Sequence, residues 1–237
     1  MIPKIIHYCW FGNGELSSSE ICCIESWRKF CPDFEIRLWN ESNFDINFCE
    51  FTKIAYKQKK YAFVSDVARI YALYSEGGVY LDTDMLLINQ LPEKFLSFNL
   101  FLGKESKSLY NAAILGSAKE NIILKQMLNY YINSSSSIFQ NQLIPQIITK
   151  ELSSYNESVD FNSFPPDYFY PLPYQLRYFH YNQFLTRNTI AVHLWNLSWK
   201  NTPTLSLRDK FLRYIKYCVS YFYIPQSFKD FASKSFY

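Results

Sequence analysis

With 237 residues, 49% of them hydrophobic, the chain is long enough for one large domain or two small ones. Its formal net charge of +3 is too small for a protein that neutralises nucleic-acid phosphates, so we exclude that class of partner. The sequence has no run of about 18 apolar residues, and its start lacks the pattern of a signal peptide. Its six cysteines show no C-x-x-C spacing, and we therefore expect free thiols and a cytoplasmic location.

The first forty residues follow a strand–helix–strand pattern. Residues 4–8 form a short apolar run that predicts a strand, and the glycines within 12–14 end it. Serines at 17–19 offer N-caps for a helix that ends at about Phe30, before a proline. Glu35–Trp39 alternates between polar and apolar residues, as a second strand does. This order predicts an α/β fold with a parallel sheet.

The middle of the chain contains the clearest helix. Apolar residues recur at helical spacing through residues 63–76, and Gly77 and Gly78 end the helix. Residues 79–81 are apolar and predict a buried strand, which leads directly into Asp82-Thr83-Asp84. A further apolar run follows at residues 85–88.

The rest of the chain gives fewer signals. We expect a helix over residues 119–131, an irregular segment over 165–173 and a strand over 191–194. No domain boundary is evident, so we predict one domain over residues 1–200 with a helical appendage over 201–237.

Asp82 and Asp84 are the residues most indicative of chemistry. In an extended segment, residues two apart point to one side, and two close carboxylates repel unless a cation lies between them. Mg²⁺ or Mn²⁺ would compensate both charges and leave coordination positions open for diphosphate oxygens. The alternative is a solvated loop that carries two acidic residues.

Asp66 and Arg69 lie three residues apart on the predicted helix and therefore share a face. They form either a simple surface ion pair or part of the site that contains Asp82. In the second case, the shared face of the helix looks onto the end of the strand that carries Asp82.

Three segments together carry a resemblance to a known family. The run S-D-V-A-R-I-Y-A-L-Y-S-E-G-G-V-Y-L-D-T-D at residues 65–84 resembles the signature of retaining glycosyltransferases with a GT-A fold, and glycosyltransferase family 32 in particular. I-P-K-I-I-H-Y-C-W-F-G at 2–12 is similar to the family's first strand, and A-V-H-L-W-N-L-S-W at 191–199 to its closing motif. The resemblance implies a Rossmann-like nucleotide-diphospho-sugar transferase fold with a mostly parallel central sheet. It also implies an enzyme of the bacterial capsular or O-antigen polysaccharide type.

The resemblance assigns roles to residues around the two aspartates. Asp82, Asp84 and Arg69 are the expected catalytic residues, with Asp82 and Asp84 at the metal. Asp66 and Arg69 are expected to hold the ribose or sugar and the phosphate side of the donor, and Tyr80 to lie beside the nucleotide. Trp10 is expected to stack on the base, although a core tryptophan fits its position equally well.

The resemblance also implies roles later in the chain. His193, which in an apolar strand would ordinarily be a core residue, is expected at the metal and the diphosphate. Ser198 and Trp199 are expected to close over the diphosphate, and Asn111 to lie near the transferred sugar. The segment 165–174 is a candidate wall of the acceptor site.

The predicted reaction is transfer of a hexose or N-acetylhexosamine from a nucleotide-sugar, with a UDP-linked donor expected. The resemblance implies retention through attack on the same face, with the leaving phosphate assisting deprotonation of the acceptor. A glycan or lipid-linked glycan is the expected acceptor, in surface polysaccharide biosynthesis. The alternatives are a toxin-like transferase that modifies a protein, a phosphatase that uses the D-x-D aspartate as nucleophile, and a non-catalytic carbohydrate-binding module.

Residues 205–223 mix basic and aromatic side chains. Such a helix packs on the domain, or it lies on an anionic membrane surface. The second interpretation predicts peripheral contact with the cytoplasmic face of the inner membrane.

Overall fold

The computed structural model describes residues 1–134, residues 143–196 and Ser206. Ser198, Trp199 and, apart from Ser206, the predicted helix at 205–223 lie outside the described residues, as does the predicted boundary at residue 200. Within the described part, no helix combines the length and the apolar character needed to cross a bilayer.

Fourteen helices and strands make up the described fold, together with short 3-10 turns. They are β1 (Ile5–Cys9), α1 (Ser18–Phe30), β2 (Glu35–Trp39), α2 (Glu50–Lys57), α3 (Tyr61–Glu76), β3 (Gly78–Leu81), β4 (Met85–Leu87), β5 (Leu100–Lys104), β6 (Tyr110–Ser117), α4 (Ile122–Ile132), α5 (Ile144–Leu152), β7 (Asn162–Phe164), α6 (Pro166–Phe169) and β8 (Ala191–His193).

The central sheet has six strands in the order β2-β1-β3-β6-β5-β7. β1 pairs in parallel with both β2 and β3, and β5 with β7. β6 alone runs the other way, antiparallel to β3 and β5. The predicted α/β class with a mostly parallel central sheet is therefore confirmed. A second, two-stranded sheet joins β4 to β8.

Apolar side chains cover both faces of the central sheet. Along β3, Tyr80 packs into the core formed with α2, α3, α4 and α5, whereas Val79 and Leu81 pack into the core that contains α1. This is the alternation expected of a strand that is buried on both sides. The end of β3 consequently lies between two packed layers, and residues that follow it have a fixed position.

Local signals account for the elements next to the site. The backbone N–H of Ser17 donates to Glu20, three residues on, which caps the start of α1. α3 ends at Gly77 and Gly78, whose φ angles of +71° and +114° suit glycine. A Cβ on Gly78 would lie 2.7 Å from the carbonyl oxygen of Ile5, so only glycine lets β3 approach β1 here.

Several predictions need correction. The segment Asp82-Thr83-Asp84 is a turn and not extended, because the backbone N–H of Met85 bonds to the carbonyl oxygen of Asp82 at 2.9 Å. The segment 165–173, expected to be irregular, contains α6. The helix expected from residue 119 begins at Ile122, because the Asn121 side chain caps it.

Candidate active site

Asp82 lies at the end of β3 and is held from two sides. Its carboxylate accepts a hydrogen bond from the Tyr80 hydroxyl at 3.0 Å and faces a guanidinium nitrogen of Arg69 at 3.1 Å. Its backbone N–H donates to the carbonyl oxygen of Ala113 on β6 at 2.8 Å. The carboxylate orientation is therefore fixed before any ligand binds.

Arg69 is buried beneath the carboxylates, and only 4% of it is exposed. It pairs with Asp66 at 2.9 Å, donates to the carbonyl oxygen of Ala112 at 3.1 Å, and stacks on Tyr80 with its guanidinium carbon 4.6 Å from the ring centroid. The pair with Asp66 is therefore not a surface ion pair. Contact between Arg69 and the donor stays a prediction, since every described contact of this side chain is internal.

Asp66 has an unusual electrostatic environment. Burial and, to a lesser extent, the charge of Asp82 raise its pKa to about 7, although Arg69 opposes the shift. The guanidinium of Arg69 is thus paired with the carboxylates of both Asp66 and Asp82. The cluster carries one negative charge when both are ionised, which favours a further cation near Asp82.

Asp84 is tied to the last described strand. One carboxylate oxygen lies 3.1 Å from Nε2 of His193, and the other accepts the backbone N–H of Asn196 at 2.9 Å. Burial alone would raise the pKa of Asp84, but His193 and the Asn196 N–H outweigh burial and lower it. Burial would conversely lower the pKa of His193, but Asp84 outweighs it and raises that pKa.

The structure brings Asp82, Asp84 and His193 together, with one ligand atom from each within 4.8 Å of the others. Two carboxylates and one imidazole are a donor set that fits a divalent ion. Nδ1 of His193 is buried without a hydrogen-bond partner among the described residues. An ion would have to displace any proton on Nε2 to bind there.

Asn111 lies on β6 beside this group, within a polar cluster that the sequence did not reveal. Its side-chain N–H donates to Glu105 at 2.8 Å, and its side-chain oxygen accepts the backbone N–H of Ala113 at 2.8 Å. The hydroxyl of Tyr170, from the predicted acceptor wall, lies 3.4 Å from the same oxygen. Glu105 precedes β6 by only a short turn, and its contact with Asn111 depends on the pairing of β5 with β6, for which the sequence has no local signal.

Trp10 lies just beyond β1 on the wall of a cleft of about 630 Å³, which we term the tryptophan cleft. Trp10 is half-buried, and its indole N–H donates to the carbonyl oxygen of Gly14 at 2.6 Å. The cleft adjoins the carboxylates, because the Asn196 that lines it also bonds Asp84. The lining residues come from three segments: Trp10, Glu15, Ser17, Ser19 and Glu20; Arg177 and Tyr178; and Leu194, Trp195 and Asn196.

Two family models match this chain. One, described as the glycosyltransferase sugar-binding region containing the DXD motif, matches residues 17–105. The other, an alpha 1,4-glycosyltransferase conserved region, matches residues 121–221. The first range includes Asp66, Arg69 and both aspartates of the D-x-D turn, and the second includes His193.

Curated relatives are similar over part of their length. The chain is 28% identical to lactosylceramide 4-alpha-galactosyltransferase of Mus musculus over 156 residues, which are 59% of this chain and 42% of that protein. It is 27% identical to alpha-1,4-N-acetylglucosaminyltransferase of Homo sapiens over 148 residues, or 56% of this chain and 42% of that protein. The chain thus spans less than half the length of either relative, and both are eukaryotic.

Two solved structures show a more distant similarity to this chain. One is titled PaToxG glycosyltransferase, with a TM-score of 0.49 and 17% identity over 65% of this chain and 68% of that chain. Another is the galactosyltransferase LgtC in complex with donor and acceptor sugar analogues, with a TM-score of 0.47 and 14% identity over 95% and 99% of the two chains. The two family models match adjacent parts of the chain, and both are described as regions of glycosyltransferases.

Proposed function

We propose that the protein moves a hexose or N-acetylhexosamine from a nucleotide-sugar, UDP-linked in the first instance, to a hydroxyl of a glycan or lipid-linked glycan. The observation that carries the proposal is the grouping of Asp82, Asp84 and His193 at the end of β3. A divalent ion bound there supplies positive charge to the leaving diphosphate. The proposed ion is Mn²⁺ or Mg²⁺, since carboxylate oxygens suit both.

The protein's own residues prepare the site for a charged donor. Arg69 and Tyr80 hold the Asp82 carboxylate in one orientation, and the Asn196 N–H does the same for Asp84. Such preorganisation lowers the reorganisation needed as charge develops on the leaving group. Trp10 in the tryptophan cleft is suited to stack on the nucleotide base.

Retention of configuration is part of the proposal and rests on the resemblance to family 32. The acceptor oxygen bonds to the anomeric carbon on the face from which the diphosphate departs. The bond from that carbon to the phosphate oxygen breaks, and the acceptor's proton passes to the leaving phosphate. Asn111, which contacts Glu105 and Tyr170, is the residue proposed to lie near the transferred sugar.

The names of the relatives support a glycolipid or glycan acceptor. Lactosylceramide carries a glycan on a lipid, and a further relative, 29% identical over 131 residues (54% of this chain, 36% of that protein), is an inositol phosphoceramide mannosyltransferase of Schizosaccharomyces pombe.

A role in bacterial surface polysaccharide synthesis at the cytoplasmic face extends this proposal. As part of it, we propose that residues 205–223 contact anionic lipid at the membrane surface. Sedimentation with anionic vesicles, compared between wild type and a variant with Lys210, Arg213 and Lys216 changed to Glu, tests that step; equal binding would contradict it.

The activity is tested by nucleotide release from a panel of UDP-sugars and GDP-mannose, with Mn²⁺ and with chelator. We expect release from one donor, dependent on the metal and lost in Asp84→Asn. Glu50→Gln, which removes an exposed carboxylate from α2, is the matched control and should retain full activity. If no donor turns over and no metal-dependent nucleotide binding occurs, the proposal is wrong and a carbohydrate-binding module becomes the better explanation.

A further inference from the structure

Among the described residues that line the tryptophan cleft, Arg177 alone carries a guanidinium or ammonium group. Its guanidinium carbon lies 4.1 Å from the ring centroid of Tyr174 and 4.4 Å from that of Tyr178. It donates to the carbonyl oxygen of Tyr174 at 2.9 Å and to the hydroxyl of Tyr178 at 2.6 Å. Two aromatic rings and two hydrogen bonds therefore hold the group in a fixed plane.

Arg177 is not paired directly with a carboxylate in the described part of the chain. No ion pair joins it to a carboxylate of residues 1–134 or 143–196, unlike Arg28, Arg37 and Arg69. Its two hydrogen bonds use two of the five N–H groups of a guanidinium. A half-buried cation that is oriented in advance and retains spare donors is suited to a planar anion such as a phosphate.

Two carboxylates on the cleft wall narrow the choice of anion. Glu20 already accepts the backbone N–H of Ser17, and Glu15 is exposed. The lining residues alone therefore carry no net positive charge, and Arg177 by itself would not attract an anion strongly. A divalent ion held by Asp82, Asp84 and His193 would supply positive charge on the other side of the cleft, so an anion that reaches both that ion and Arg177 would be compensated from both sides. A diphosphate has the two charged groups that this arrangement needs.

We propose that Arg177 binds a phosphate of the donor's diphosphate and is a specificity-determining residue for nucleoside diphosphates over nucleosides. This inference rests on the proposed function and adds a residue to which neither the D-x-D turn nor the closing strand points. Tyr174 and Tyr178 act through Arg177 and are positioning residues.

The test compares ligands that differ only in phosphate. UDP and GDP are titrated calorimetrically with Mn²⁺ into wild type, Arg177→Gln and Arg177→Lys. The matching nucleoside is followed by saturation-transfer NMR, which detects weak binding. We expect Arg177→Gln to weaken binding of the diphosphate about 10- to 100-fold, as for loss of a charge-assisted hydrogen bond. The affinity for the nucleoside should change less than about twofold. The diphosphate affinity of Arg177→Lys should lie between those of wild type and Arg177→Gln.

The controls separate the two proposals. Arg28→Gln removes an exposed arginine of α1 that pairs with Glu25, and it should bind both ligands as wild type does. Urea unfolding of each variant shows whether the fold persists. If Arg177→Gln does not fold, the comparison rests on Arg177→Lys, which retains the charge. Unchanged diphosphate affinity in Arg177→Gln, or an equal loss for the nucleoside, would overturn the inference and leave the proposed function standing. Failure of wild type to bind either diphosphate would overturn both.

Discussion

The two aspartates of the D-x-D turn have different partners, although only one residue separates them. Asp82 is held by Arg69, which lies on α3, and by Tyr80, which lies on β3 of the central sheet. Asp84 is held by His193 and the backbone of Asn196, more than a hundred residues later. The first aspartate is therefore oriented by local structure and the second by a long-range contact. The two should respond differently to substitution of their partners.

Arg69 offers a direct test of the first contact. Removing its side chain in Arg69→Met would leave two carboxylates, on Asp66 and Asp82, with no cation between them. We expect the free energy of unfolding to fall by about 3–5 kcal/mol, as found when one partner of a buried pair is removed. Urea denaturation measures the change. Arg28→Met, at an exposed pair, is the control and should lower the free energy of unfolding by less than about 1 kcal/mol. Equal losses of stability in the two variants would show that Arg69 is not needed to compensate these carboxylates.

His7 predicts a pH dependence that is independent of the active site. It is fully buried on β1; Nε2 donates to the carbonyl oxygen of Gly77 at 2.7 Å, and Nδ1 accepts the indole N–H of Trp39 at 3.0 Å. Burial lowers its pKa below the ordinary value of 6.5, against smaller opposing effects of Gly77 and Glu76. The unfolded chain therefore takes up a proton at this residue at a higher pH than the folded protein does.

The free energy of unfolding should consequently fall as pH drops below about 6.5, by up to about 1.4 kcal/mol per pH unit from this residue. Above pH 6.5 the contribution of His7 is fully present. Urea unfolding of wild type and His7→Gln between pH 7.5 and 5, in chelator, isolates this contribution from that of the carboxylates. Parallel curves for the two proteins would contradict the prediction.

At the scale of elements, glycine at position 78 decides how β3 meets β1. Its φ of +114° is strained for other residues, and an added Cβ would lie 2.7 Å from the Ile5 carbonyl oxygen and 2.8 Å from Nε2 of His7. We expect Gly78→Ala to lower the free energy of unfolding by about 2–4 kcal/mol, through strain and displaced backbone. Gly14→Ala is the matched control, because no atom lies within 4 Å of its Cβ position. A thermal or urea midpoint for Gly78→Ala equal to that of Gly14→Ala would refute the expected clash.

The elements that the sequence predicted are those with local end signals. α1 has its serine cap and following proline, and α3 has two glycines after it. β6 was not predicted, because a run of small and apolar residues such as Tyr110–Ser117 is compatible with either a helix or a strand. Its position depends on pairing with β3 and β5, and β5 carries a register shift at Leu102 and Gly103. Such non-local pairing has no single-residue signal.

The same distinction applies to the candidate site. The importance of the aspartates at the end of β3 was predicted from the apolar strand before them, although the segment is a turn and not extended as expected. The approach of His193 came only from the resemblance. The structure brings it there through β4 and β8, which place Met85 opposite His193. Burial of Arg69 and the link from Asn111 to Glu105 had no sequence signal, because both depend on where β6 lies.

For the whole molecule, the candidate metal group connects two sheets. Asp82 follows β3 of the central sheet, and His193 ends β8 of the two-stranded sheet. An ion bound by both would stabilise the folded state over the unfolded chain, in which these residues are far apart. Binding should therefore be visible in the stability of the entire chain and not only in activity.

We expect Mn²⁺ at about one hundred times its dissociation constant to raise the free energy of unfolding by about 2.7 kcal/mol. The increase should disappear with chelator and in Asp84→Asn. Calorimetric melting of wild type, Asp84→Asn and Glu50→Gln at several metal concentrations measures it, and the exposed control should behave as wild type does. An equal increase in all three proteins would mean that the ion acts through general charge screening. No increase in any of them, at concentrations that support nucleotide binding, would mean that the ion arrives only with the donor.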